Sequence, residues 1–306
     1  ERARDHLASL RSSAVGDTSD DEIRFDVIAH SIGGLVSRYF LRFGPRDVLG
    51  EELPEIDWAG SALVDRLIVI STPSFGAARV LREMVQGRRY PVVKFEPAMI
   101  ATWVSPYQML PRPEHDIWLD ERGESSDLDI LSAKTWLFNN WGPFAPGQDK
   151  YLAWIYPGEA SPAVRRTRMA EFMDAAFARA RQFFTVMDGH VEAPCPTELI
   201  LFAADVQPTL ARVAVIPRGE RKILRFENVA GMSLKAPGDG SVTRASAVAD
   251  ERLLGDETGF VSSPVPWDRQ IFLTDMHMTF LGNPTFQTNL LHILLEEPPG
   301  RAPSGE

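Results

Sequence analysis

One serine of this chain lies between small residues at the point where an apolar run becomes a helical pattern. In FDVIAHSIGGLVSRYF (residues 25–40), Ala29 and Gly33 stand two positions before and after Ser31. A serine hydroxyl reacts when it stands clear of the sheet, contacts a base and lies beside N–H groups that bind an oxyanion. A tight strand–turn–helix provides all three, and A-x-S-x-G is a variant of the G-x-S-x-G nucleophile elbow. We therefore predict that Ser31 is a nucleophile and that the N–H of Ile32 is an oxyanion donor; a structural turn with a spare serine is the alternative.

The acid and the base of such a site follow the serine in that order along the chain. Asp239 lies in PGDGSVTRASA, where flanking glycines let its carboxylate turn back toward the sheet edge. An ordinary Asp-Gly turn is the alternative there, and Asp205, which ends the run LILFAAD, is the rival acid. His277 follows the run IFLTD and precedes the last helix, so we predict that it is the base; a packing or surface role is the alternative.

The remaining reactive residue types have plainer interpretations. We expect the ring of His30 to pack beside the serine turn. Cys195 is the only cysteine, so no internal disulfide can form, and beside a strand start it is expected to be a small apolar residue. The other histidines precede the elbow or lie in or beside the insertion or in the last helix: His6, His115, His190 and His292. Because no cluster has metal-ligand spacing, we expect neither a metal nor a cofactor.

Apolar runs and turn signals predict the elements that position these residues. Runs at 23–30 and 63–73 predict buried strands joined by a helix that Gly44-Pro45 ends. The first run is apolar on both faces, which favours a central strand of a parallel sheet. Further strands are expected at 195–205 and 269–275. Asn283 and Pro284 suit the cap and first turn of the last helix.

A long insertion separates the second and third of these strands. It holds five of the seven tryptophans and one amphipathic helix near 162–184. We therefore predict an α/β-hydrolase core with helices on both faces of its sheet, formed by 1–76 and 195–296. Residues 77–194 are predicted to form a cap or lid, and residues 297–306 are predicted to form a disordered tail. The tryptophans are expected either to form a lipid-binding lid or acyl-chain pocket, or to fill the core of the cap itself.

Composition excludes several classes of protein. A net charge of −10 and a pI of about 5.2 argue against nucleic-acid binding and do not favour docking on anionic lipid. No apolar run approaches the roughly 20 residues of a membrane span. The chain begins with Glu, and the apolar residues of its first segment, ERARDHLASLRSS, stand at helical spacing. We therefore expect that an N-terminal part of the natural protein precedes it. The location, cytoplasmic or secreted, stays open.

Five segments, in order from about residue 24 to 296, resemble the lecithin:cholesterol acyltransferase-like family of α/β-hydrolases. They are VIAHSIGGLVSRYFL, ISTPSFGA, SPYQMLPRP followed by DLDILSAKTWLFNNWGPF, GDGSV, and MHMTFLGNPTFQTNLLHILL. The resemblance implies serine-dependent acyl transfer on ester-linked lipids, phospholipids among them, with transient contact to a lipid interface. It implies the same roles for Ser31, Asp239 and His277 as nucleophile, acid and base.

The sequence also departs from that family. Ala29 stands where the family usually has Gly, and the N-terminal strands and the loop with the first oxyanion donor have no counterpart in the chain. Losing one such donor costs about a hundred- to a thousandfold in rate. Two alternatives therefore accompany the main prediction of a lipase, phospholipase, esterase or lipid O-acyltransferase. One is a deacylase of small esters or glycolipids, and the other is a catalytically inactive hydrolase fold used for binding.

Overall fold

The computed structural model describes most of the chain between its two termini. The described residues are 24–50, 54–113, 115, 117–227, 229, 231–252 and 262–297. The helix expected in the first 13 residues, the acidic loop at 16–22 and all but the first residue of the tail 297–306 lie outside the described residues.

A parallel sheet forms the centre of the fold. In chain order the strands are β1 (Phe25–His30), β2 (Val64–Ile70), β3 (Arg88–Arg89), β4 (Lys94–Phe95), β5 (Trp118–Leu119), β6 (Glu198–Ala204), β7 (Gln207–Leu210), β8 (Val213–Arg218), β9 (Arg221–Arg225), β10 (Lys235–Gly238) and β11 (Arg269–Leu273). The central sheet has the order β1-β2-β6-β11, and every neighbouring pair in it is parallel. All four strands were predicted from apolar runs, and the predicted parallel sheet is confirmed.

Helices cover both faces of this sheet. In chain order the α-helices are α1 (Ile32–Phe43), α2 (Ala78–Gln86), α3 (Pro97–Ile100), α4 (Ser105–Gln108), α5 (Ala133–Asn139), α6 (Asp149–Ile155), α7 (Pro162–Asp188), α8 (Arg244–Val248) and α9 (Pro284–Leu295). On one face, Val69 of β2 clusters with Val248 of α8. On the other face, the next residue, Ile70, clusters with Phe286 of α9. Successive strand residues point to opposite faces, so the near-continuous apolar runs bury both sides.

The first strand lies at the edge of the sheet in the described structure, not at its centre. Its residues alternate between more and less buried positions, and Ile28 is 46% exposed. The predicted central position is therefore wrong for the described residues, since only β2 pairs with β1 there. The apolar pattern predicts a strand correctly, but it does not indicate how many neighbouring strands pair with β1.

The region after β2 is mainly helical, and its buried apolar residues form one large cluster together with residues of α1 such as Leu35 and Phe43. The tryptophans Trp118, Trp136 and Trp141 are at most 5% exposed and belong to its large apolar cluster. Trp103 and Trp154 are 42% and 70% exposed. The three buried tryptophans fill the core of this region, and the lid or acyl-chain pocket stays a prediction. No helix in the described part of the chain has the length and apolar character needed to cross a bilayer.

Short strands link the insertion to the chain that follows β6. In the three-stranded sheet β5-β8-β9, Trp118 of the insertion pairs with Val213. A second small sheet pairs β7 with β10, and β10 ends at Gly238, directly before Asp239. The division into core and cap stays a prediction, and these pairings attach residues 213–225 to the insertion.

Two buried arginines of α1 bind the C-terminal end of the 27-residue helix α7, and a third buried arginine, after α4, binds the same end. Arg42 Nη1 donates to the backbone oxygen of Val186 in the last turn of α7 at 3.1 Å and to that of Gly189, directly after the helix, at 2.8 Å. Arg38 Nη2 donates to the backbone oxygen of Met187 at 3.3 Å. Arg112 binds the carboxylate of Asp188 through two nitrogens, at 2.5 and 3.1 Å. The last carbonyls of a helix have no partner within it, and positive charge there is favourable. The helix that carries Ser31 is thereby fixed to the insertion.

Candidate active site

Ser31 occupies a strained turn between β1 and α1. Its backbone has φ 55° and ψ −128°, a region that residues other than glycine rarely adopt. The turn is held because the Ser31 N–H donates to the backbone oxygen of Ile70 at 2.9 Å. The hydroxyl is thereby presented at the carboxyl end of the parallel sheet, as the elbow pattern predicts.

The glycine that the turn requires most strictly is Gly34. A Cβ built on Gly34 would overlap the hydroxyl of Thr72, whereas one built on Gly33 would meet only Ala29 Cβ at 3.9 Å, an ordinary contact. The Thr72 hydroxyl in turn donates to the backbone oxygen of Ser31 at 2.7 Å. A Cβ at position 33 is therefore tolerated on steric grounds, and the close approach of the chain occurs one residue later, at Gly34.

Ile32 is the first residue of α1. The first N–H groups of a helix have no partner within it, and the positive end of the helix dipole favours an anion there. No described group accepts a hydrogen bond from the Ile32 N–H. The role of this N–H as an oxyanion donor stays a prediction.

His277 lies in the loop after β11, with its ring on the serine. Its Nε2 is 3.0 Å from Ser31 Oγ, and its Nδ1 is 2.7 Å from Oδ2 of Asp239. A carboxylate only accepts hydrogen bonds, so Nδ1 carries the proton and Nε2 can accept the one from the serine hydroxyl. This is the proton arrangement that a general base needs.

Asp239 is buried, and backbone groups hold its carboxylate. Its side chain is 3% exposed, and Oδ1 accepts the N–H groups of Ser241 and Val242 at 2.8 and 2.7 Å. Burial by itself would raise the pKa of Asp239, but the hydrogen bond and charge of His277, with these two N–H groups, bring the pKa below its ordinary value. The carboxylate is therefore ionised and fixed beside the imidazole.

The structure brings the three predicted site residues together and leaves the others apart. Asp205 is half-buried after β6 and makes no hydrogen bond to His277, whose Nδ1 is held by Asp239. Cys195 is buried in the apolar cluster on one face of the sheet. The other histidines have separate surroundings: His115 stacks at 4.8 Å on Phe75, His190 pairs with Glu251, His292 pairs with Glu296, and His6 lies outside the described residues.

His30 is the residue whose contacts the sequence analysis missed. Its Nε2 lies 3.0 Å from the backbone oxygen of His277, and the two ring centroids are 4.8 Å apart. Because His30 is the last residue of β1 and precedes Ser31, its polar side chain lies at the same edge of the sheet as His277. This position is the sequence signal that could have indicated the contact, although the partner, His277, lies in a loop 247 residues later.

Apolar side chains surround the histidine loop. Met276 and Met278, on either side of His277, are 56% and 75% exposed, and Leu281 is 47% exposed. These three side chains lie in or directly after the loop that carries His277 and are open to contact with a bound molecule. Among the described residues, no group of three or more His, Cys, Asp or Glu side chains is placed to hold a metal ion.

Comparison with known proteins gives the fold but no family. No protein-family model matches the chain, and no curated protein matches its sequence. The chain resembles a chain in the crystal structure of the Tle4–Tli4 complex, with a TM-score of 0.58, 12% identity and coverage of 95% of this chain and 63% of that one. It also aligns with lipase 1 from Pelosinus fermentans, with a TM-score of 0.37, 13% identity and coverage of 90% and 72%.

The chain spans less than two thirds of the length of the Tle4–Tli4 chain. At 12% identity the likeness shows the fold, which is of the α/β-hydrolase type, as predicted. Membership of the lecithin:cholesterol acyltransferase-like family stays a prediction.

Proposed function

We propose that the protein is a serine-dependent acyl-transfer enzyme that acts on ester-linked lipids. The observation that carries the proposal is the hydrogen-bonded chain from Ser31 Oγ through His277 to the buried carboxylate of Asp239. A nucleophile, a base and an orienting acid in this order are the parts that nucleophilic acyl transfer needs.

The first half of the reaction forms an acyl-enzyme. Ser31 Oγ attacks the ester carbonyl carbon while His277 Nε2 takes the hydroxyl proton. Asp239 stabilises the resulting imidazolium through Nδ1–H, and the Ile32 N–H binds the carbonyl oxygen as it becomes negative. The bond to the leaving alcohol then breaks, and His277 gives its proton to that alcohol.

The second half restores the serine. Water or an acceptor alcohol attacks the acyl carbon, again losing its proton to His277. The bond to Ser31 Oγ breaks, and the serine recovers its proton from His277. Water gives a fatty acid and makes the protein a hydrolase, whereas an acceptor alcohol gives a new ester and makes it an acyltransferase.

The apolar surroundings of the base favour a lipid over a small soluble ester. Met276, Met278 and Leu281 expose apolar side chains next to His277, where an acyl chain or a lipid surface would lie. A deacylase of small esters or glycolipids is the second candidate within the same chemistry, and chain-length preference separates the two. An inactive binding protein is the candidate of a different class, which the intact Ser31–His277–Asp239 contacts disfavour.

A fluorophosphonate probe tests the proposal directly. We expect the full-length protein to be labelled at Ser31 and the Ser31→Ala variant to lose the label. Ser37→Ala, in the helix α1 that follows Ser31, is the matched control and should keep the label. Labelling of the Ser31→Ala variant at the wild-type rate would contradict the proposal. A series of p-nitrophenyl esters then compares short and long acyl chains.

A further inference from the structure

The last residue of β1, His30, donates a hydrogen bond to the loop that carries the base. Its Nε2 lies 3.0 Å from the backbone oxygen of His277. A carbonyl oxygen only accepts, so Nε2 of His30 carries a proton. The contact is therefore a directed hydrogen bond and not only the ring packing that the sequence suggested.

The backbone of His277 is held on both sides. Its N–H donates to the backbone oxygen of Asp239 at 2.9 Å, and its own oxygen accepts from His30. Its neighbours Met276 and Met278 are more than half exposed and supply little packing. These two hydrogen bonds act on the backbone of His277 itself, whereas Asp275, Thr279 and Asn283 hold the adjoining part of the loop through hydrogen bonds to one another.

A neutral imidazole at His30 suits its position beside His277. The titratable groups that act on it are His277 and Asp239, and its sheet neighbour Ile70 is apolar. Burial first, and then the nearby His277, lower the pKa of His30, while the bond to the His277 carbonyl and the charge of Asp239 partly oppose this. A neutral His30 keeps its Nε2–H donor and adds no second positive charge when His277 becomes imidazolium.

We propose that His30 is a positioning residue, which holds the backbone carbonyl of His277 and so keeps its Nε2 on the serine hydroxyl. The effect on rate rests on the proposed function, whereas the effect on the geometry of His277 does not. His30 touches neither the substrate nor the reacting atoms in this scheme. It acts through the backbone of the base.

Three variants of the full-length protein separate donor geometry from size. His30→Leu removes the donor at similar volume, His30→Gln places an amide N–H near the former Nε2, and His30→Asn keeps the polarity but is too short. Displacing a catalytic group by about 1 Å costs up to about a hundredfold in rate. We therefore expect His30→Leu and His30→Asn to lower kcat for a p-nitrophenyl ester by about ten- to a hundredfold with KM within about twofold. His30→Gln should recover kcat to within about threefold of wild type.

The same variants are compared by proton NMR, which needs no turnover. The Nδ1–H of His277, bound to the Asp239 carboxylate, gives a low-field resonance. We expect it to be lost or broadened in His30→Leu and His30→Asn and retained in His30→Gln. The proposal is overturned if all three variants keep both kcat and the resonance, or if His30→Gln fails as badly as His30→Asn. If the wild type shows the resonance but no fluorophosphonate labelling, the proposed function fails, and the resonance in the three variants still decides the role of His30.

Discussion

Thr72 and Gly34 fit against each other at the base of the serine turn. The Thr72 hydroxyl donates to the backbone oxygen of Ser31 at 2.7 Å and fills the space that a Cβ on residue 34 would need. Such a Cβ would also stand 2.9 Å from Val69 Cγ1. The tightness of the elbow therefore depends on β2 as much as on the serine motif.

Gly34→Ala tests this packing. We expect it to lower the free energy of unfolding by about 1–3 kcal/mol, because overpacking forces neighbouring groups to shift. Gly33→Ala is the control, since its Cβ meets only an ordinary contact and alanine favours a helix by up to about 1 kcal/mol over glycine. Urea unfolding measures both variants, and equal destabilisation of the two would contradict this account of the turn.

Asp239→Asn tests the identity of the acid. An amide can donate to Nδ1 and so favours the tautomer in which Nε2 carries the proton, which cannot accept from Ser31. We expect kcat to fall by about 10⁴-fold, the size of effect that this change has in a serine–histidine–aspartate site. Asp205→Asn is the matched control and should stay within about twofold. A similar loss in both variants, measured on a p-nitrophenyl ester, would show that Asp239 has no special role.

His115 gives a pH dependence of stability. Burial first, and then the charge of Arg112, lower the pKa of His115 from 6.5 to about 4. Between these values the unfolded chain binds a proton that the folded protein does not, so stability is full above pH 6.5 and declines as the pH falls toward 4. We expect about 1–3 kcal/mol from this residue, measured by urea unfolding at pH 7 and pH 4.5.

Two histidine variants test whether His115 causes this pH dependence of stability. His115→Phe keeps an aromatic ring beside Phe75 and should lose less stability between the two pH values than the wild type. His292→Phe alters an exposed histidine on α9 and should retain most of the wild-type dependence. Identical curves for His115→Phe and wild type would refute the assignment.

The exposed methionines beside the base give a prediction about lipid substrates. Replacing Met276 and Met278 by serine removes apolar contact that is worth at most about 1.5–3 kcal/mol for each fully buried side chain. We expect activity on an emulsified long-chain ester to fall about three- to tenfold, while a soluble short-chain ester changes less than twofold. Leu295→Ser is the control, because Leu295 is 78% exposed at the end of α9. A uniform loss across chain lengths would count against lipid contact at this loop.

Local pattern was sufficient to predict much of the fold. The strands of the parallel sheet are apolar runs that end in turn signals, and Asn283 caps α9 by accepting the N–H groups of Thr285 and Phe286. The places of Asp239 and His277 followed from one rule, that these residues come after later strands in a fixed order. The structure brings both to Ser31.

What could not be predicted depends on contacts between distant segments. The critical glycine is Gly34 because Thr72, in the loop after β2, lies beside it. His30 has a polar partner because a loop 247 residues later passes its ring. The edge position of β1 depends on which strands pair beside it, and an apolar pattern does not carry that information.

The arginine contacts at the end of α7 limit how far this helix can move relative to α1. Arg38, Arg42 and Arg112 are each only 2% exposed. Moving the end of α7 away from α1 would remove these carbonyl partners from the Arg38 and Arg42 side chains, and a buried polar group left without a partner costs about 1–3 kcal/mol, more when it is charged. The C-terminal end of the long helix is therefore expected to stay fixed to α1 when a ligand binds.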